Sequence, residues 1–194
     1  MDLVWPDNLA TLGRRQIVFG GKSMRTFWGG VRRNGWLVLA LFVLLMLFIS
    51  SSMTFHQQNA APLLARLLPS KPGYHLVAAI HWHYAGSVVS VASEGYFGVL
   101  QFIMRKCAHF GSYFILGLSL YMGTRRHIPA WWLRVVMVPL TCAGCAALDE
   151  FHQMLTGDRS PLFQDVILDT TGAVCGMLLV IVLLLACRRR RALN

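Results

Sequence analysis

Five of the eight acidic residues of this chain fall in one short stretch: Asp149, Glu150, Asp158, Asp165 and Asp169. Their spacing is helical. Asp149 and Gln153 stand at i, i+4, Glu150 lies one turn from Gln153, and Asp165 and Asp169 again stand at i, i+4. Upstream, Lys106, His109 and Tyr113 share a helix face at i, i+3, i+7. These types suit an anionic ligand. Lys106 and Arg159 would hold the charge, Arg159 as a bidentate fork. Tyr113, Gln153, Asp165 and Asp169 would complete the binding surface. His109, Asp149 and Glu150 are the groups able to transfer a proton if a reaction takes place. The bland alternative is that Lys106 or Arg159 pairs with a carboxylate only to lock helices together. Locking needs fewer groups than are gathered here, so a site is the favoured reading.

Other reactive residues read as packing or surface. Cys142 and Cys145 have CxxC spacing, yet they lie on an apolar stretch beside Gly144 and Ala146 and suit close helix packing better than redox work. His75, His81 and His83 resemble a metal cluster only in type, with Glu94 the one carboxylate near, and fit an interface better. His127 and His152 stand alone in sequence, which points to surface or interface positions. No metal and no cofactor are expected, and there is no internal repeat.

The elements that position these residues are membrane helices. The chain is 56% hydrophobic and 13% charged, with mean hydropathy +0.53, and its charges fall between long uncharged runs. Soluble domains carry roughly 25% charged residues. The reading is an all-α integral membrane protein with a four-helix transmembrane bundle. Segment one runs from about Trp36 to Ser52, segment two from Lys106 to Gly123, segment three from Pro129 to Gln153 and segment four from Asp165 to Cys187. The basic stretch before segment one is too long for an ordinary signal peptide, so segment one reads as an uncleaved anchor.

Basic residues set the orientation. Arg14, Arg15, Lys22, Arg25, Arg32 and Arg33 precede segment one, Arg125 and Arg126 lie between segments two and three, and Arg188 to Arg191 follow segment four. All share one side in a four-span arrangement, which puts both termini in the cytoplasm. The net charge of +10 therefore reads as topology, with no nucleic-acid partner. Residues 1–35 form a cytoplasmic segment, 36–187 the membrane domain, and 188–194 a basic tail suited to weak contact with anionic lipid. The loop 53–105 lies outside, with 76–102 read as interfacial and Trp82, Tyr84, Tyr96 and Phe97 near the headgroups. Lys106 and His109 then stand at the outer end of segment two, at the depth of the acidic cluster.

At these residues the chain resembles the VanZ-like family. The shared pattern is Lys106-x-x-His109-Phe110-x-x-Tyr113, then Asp149-Glu150-x-x-Gln153, then Arg159 six residues before Asp165, then Asp169 with Gly172 and Gly176. The serines Ser50 to Ser52 also fit. The resemblance covers about Trp36 to Leu185, and the loop 53–105 is longer than the family usually has. It implies a four-helix integral membrane protein. It also implies a context in the cell envelope, since the name-giving member is linked to low-level resistance to the glycopeptide teicoplanin. It implies no particular reaction.

The expected function is an inner-membrane, multi-pass envelope protein whose outer-face pocket binds an anionic component. Lipid-linked precursors, phospholipid headgroups and peptide carboxylates all qualify, and membrane lipids are the expected partners. The alternatives are an enzyme acting on a lipid-linked substrate, for which no nucleophile motif is present, and a structural protein whose cluster is a helix lock.

Overall fold

The computed structural model describes residues 34–54, 57–155 and 162–193. Helix α1 spans Gly35–Ser51, followed by the short helices α2, Ala61–Leu67, and α3, Tyr74–Ala78. A hairpin of β1, Trp82–Tyr84, and β2, Ser87–Val89, leads into three long helices: α4, Val91–Thr124; α5, Trp131–Leu155; and α6, Phe163–Leu193. Apart from that hairpin, the secondary structure of the described residues is helical.

The long helices share one core. Ala40, Val43 and Leu47 of α1 meet Tyr113 and Leu116 of α4, Val138, Cys142 and Ala146 of α5, and Ala173, Met177 and Val180 of α6. These positions recur at three and four residues, so each helix buries one stripe. The opposite stripes are apolar too. Leu41 is 68% exposed, Leu140 64% and Val182 60%. Water would penalise such surfaces by roughly 25 cal/mol per Å², whereas lipid would not. Helices α5 and α6 are both long and apolar enough to cross a membrane. At the end of the core opposite the hairpin, the buried Arg134 guanidinium stacks over the Tyr121 ring at 4.7 Å.

The tightest seam joins α4 to α6. A Cβ at Gly172 would stand 2.5 Å from the Phe110 carbonyl oxygen, and one at Gly176 would collide with that of Phe114. Gly117 faces the Ala173 backbone in the same way. The Gly172–Gly176 spacing therefore brings two helix backbones together, as small residues do in membrane interfaces.

Three expectations need correction. The segment 53–105 is not one loop, and α4 begins at Val91 rather than at Lys106. Ser90 supplies the reason. Its Oγ accepts from the Ser93 amide at 3.2 Å while Ser93 Oγ accepts from the Ser90 amide at 3.1 Å, a reciprocal cap that satisfies two helix-end donors. Gly95, at φ 71° and ψ 167°, then bends the chain before the helix resumes. Lys106 consequently sits within a helix, not at its start. Second, the stretch read as interfacial contains the hairpin. Ala85 and Gly86 both have positive φ, 51° and 82°, between the paired Tyr84 and Ser87, which is the two-residue turn that matches strand twist. Third, α6 continues through Arg188 to Arg191, so the basic tail is part of the helix.

Candidate functional site

The polar residues converge where the hairpin meets the ends of α5 and α6. Lys106 Nζ lies 2.5 Å from Asp165 Oδ1, joining α4 to the first turn of α6. The same carboxylate accepts a hydrogen bond from the Tyr84 hydroxyl on β1. Lys106 also stands over the Tyr84 ring at 4.4 Å and the Phe102 ring at 5.3 Å. Burial, and then the bond to Asp165, raise the Tyr84 pKa well above the ordinary tyrosine value. The phenol therefore keeps its proton and acts as a donor.

A second layer lies one turn deeper. His109 Nδ1 stands 3.4 Å from Asp169 Oδ2, and Asp169 is only 3% exposed. Gln153 Nε2 donates to Asp149 Oδ2 at 3.0 Å, the contact expected of an i, i+4 pair. Helix α1 reaches this layer through Ser51, which hydrogen-bonds Asp149 and shares a 2.8 Å hydrogen bond with His152 Nδ1. Glu150 Oε1 accepts from the Leu162 amide at 2.7 Å, so it also tethers the start of α6.

Two cavities flank the last turns of α5. One is a polar cleft of about 430 Å³, lined by residues that include Tyr84, Arg105, Lys106, His109, Glu150, Gln153 and Asp165. The other is an apolar groove of about 410 Å³ between α1 and α5, lined by residues that include Leu44, Leu47, Phe48, Leu148, Asp149 and His152. Helical geometry explains the division. Glu150 and Gln153 share one face, while Leu148, His152 and Leu155 lie on another.

The structure thus brings together Lys106, His109, Asp149, Glu150, Gln153, Asp165 and Asp169, all named from sequence. Tyr113 is fully buried in the core and borders the apolar groove rather than the polar cleft. Arg159 and Asp158 lie outside the described residues. Sequence reasoning missed Tyr84 as a partner of Asp165, because nothing local reports a pairing across 81 positions. It also left His152 as a lone residue, although this ring stacks on Phe48 at 5.0 Å and binds Ser51. The helical offset from Phe48 to Ser51 was the available signal.

The VanZ/LLP1 family pattern matches residues 36–185. No curated protein and no solved structure matches the chain. The matched span runs from the start of α1 into α6 and contains every described residue of the polar cluster. With its two apolar helices of membrane-crossing length, this is a membrane protein that belongs to the VanZ/LLP1 family.

Proposed function

We propose that the protein crosses the cytoplasmic membrane four times, through α1, α4, α5 and α6, with both termini inside. The basic residues at one end of the core and the acidic cluster at the other support that orientation. The hairpin and the polar cleft then face outward. There the protein binds an anionic, lipid-linked component of the cell envelope. The observation carrying this reading is the pair of cavities on either side of α5. A polar cleft containing Lys106 and Arg105 suits a charged headgroup, and an apolar groove beside it suits a hydrocarbon chain. Lys106 binds the anionic group by exchanging its contact with Asp165, and Arg159 is the further cation that the sequence motif offers. His109, Asp149 and Glu150 are the groups that would handle a proton in any reaction on the bound ligand. A link to teicoplanin susceptibility follows if the ligand is a cell-wall precursor.

Two experiments test the reading. Reporter fusions at Asn194 and within residues 57–101 should report opposite compartments, and a shared compartment contradicts the four-span arrangement. Lys106→Ala, Glu150→Gln and Arg159→Ala should each abolish any change in teicoplanin susceptibility that the wild-type protein confers, with folded protein still present. Unchanged susceptibility in all three removes the cluster from the function.

A further inference from the structure

Helices α4, α5 and α6 each contribute one residue to a compact group, His109, Asp149 and Asp169, and one ligand atom from each lies within 4.8 Å of the others. No metal was expected from the sequence, where these residues are far apart. Two observations distinguish the group from an ordinary polar contact. Asp169 is 97% buried, at 3% exposure, yet its Oδ1 has no hydrogen-bond partner among the described residues. A buried carboxylate oxygen is costly unless a donor or cation meets it. The His109–Asp169 separation of 3.4 Å is also long for a charge-assisted hydrogen bond, about 2.7–2.9 Å. For this pair it is close to the edge, about 3.4 Å, of a tetrahedron of ligands about 2.0–2.1 Å from a zinc-sized ion, and the three ligand atoms, all within 4.8 Å of one another, would draw inward around such an ion.

We propose that His109, Asp149 and Asp169 bind one divalent cation. The surroundings are those of a prepared site. Gln153 donates to Asp149 at 3.0 Å and Ser51 hydrogen-bonds the same carboxylate, which fixes a ligand's orientation as outer partners do around metals. One imidazole with two carboxylates suits Zn²⁺ or Mn²⁺ and disfavours soft copper(I). Three protein ligands leave a further coordination position; of the three, His109 borders the polar cleft and Asp149 the apolar groove. Cation binding does not require the anionic-ligand reading. Where that reading holds, an anion bound by Lys106 lies in a cleft that His109 also borders, next to the metal ligands rather than among them.

The test is metal binding by the full chain in detergent, stripped with chelator and dialysed against Zn²⁺ or Mn²⁺ alone. The expected result is about one ion per chain by elemental analysis. His109→Gln, Asp149→Asn and Asp169→Asn should each lose that ion, and His83→Gln should keep it. Gln153→Ala should weaken binding by roughly 10–100-fold. Should a variant fail to fold, the wild-type protein still decides. Histidine-selective modification mapped by mass spectrometry should show His109 protected by the ion, and His75, His81 and His83 equally reactive with and without it. No stoichiometric ion in the wild type, or an ion retained by folded forms of all three ligand variants, or no protection of His109, overturns the proposal. Because the probe is the metal alone, such a failure leaves lipid retention by the cleft to be judged separately.

Discussion

Helix α6 and helix α1 reach the same polar cluster by different means. Helix α6 lies on α4 backbone to backbone, with Gly172 and Gly176 under the carbonyls of Phe110 and Phe114. Helix α1 is held by side chains: Ala40, Val43 and Leu47 in the core, and Ser51 and Phe48 on His152. The first contact has no slack, because a backbone cannot rotate away, and it fixes Asp165 and Asp169 against Lys106 and His109. The second can adjust by changing rotamers, and it borders the apolar groove. A rigid half that holds the charges, beside a softer half along the apolar groove, would suit the amphipathic ligand proposed above.

The largest expected effect breaks the rigid half. Gly176→Leu places a side chain against the Phe114 carbonyl and should eliminate folded protein, seen as loss of the monodisperse detergent-solubilised species. Gly176→Ala should still cost about 1–3 kcal/mol by overpacking, read as a lowered thermal midpoint. Gly123→Ala is the matched control on the side facing α1. Its new Cβ meets mainly the Leu37 side chain, at 2.5 Å from Cδ2 and 2.7 Å from Cγ, with the Leu37 backbone nitrogen at 3.1 Å; the side chain can turn aside and the backbone needs to give by only a few tenths of an ångström. Helix propensity gains up to about 1 kcal/mol from Gly to Ala and offsets part of that adjustment, so this variant should lose less than Gly176→Ala. Equal losses at both glycines contradict the contrast.

A smaller effect tests the soft half. Ser51→Ala removes the link to His152 and should destabilise by no more than about 1.5 kcal/mol, the net contribution of one hydrogen bond. A double-mutant cycle with His152→Ala should give a coupling of that size. A cooperative loss of the whole fold would show that α1 is as rigidly attached as α6.

The two halves were unequally legible in the sequence. The faces formed by Lys106 and His109, and by Asp165, Asp169, Gly172 and Gly176, follow from helical period alone, and the structure packs those faces together. Expensive groups in an apolar setting must find one another, so their spacing carries long-range information. The hairpin was less visible. Gly and Ser residues blurred its alternation, and Ala85 occupies a left-handed position where Gly, Asn or Asp is usual. The start of α4 was hidden for a related reason. Ser90 and Ser93 form the cap, but Gly95 interrupts the period just after it. Tyr84 on Asp165 depends on how the hairpin docks, which no local pattern encodes.

The central claim is that the charges at the hairpin end form a ligand site rather than a helix lock. Breaking a buried ion pair by removing one partner typically costs roughly 3–5 kcal/mol. Lys106→Ala should cost less, because Asp165 keeps the Tyr84 hydroxyl and faces a cleft that water can enter. The direct measurement is lipid-resolved mass spectrometry of the purified protein and of Lys106→Ala, with thermal unfolding of both and of Lys106→Ala combined with Asp165→Asn. The account predicts that the wild type retains a lipid with an anionic headgroup, and that Lys106→Ala loses it while remaining folded. It is contradicted if no such lipid accompanies the wild type, Lys106→Ala unfolds, and the double variant recovers the stability.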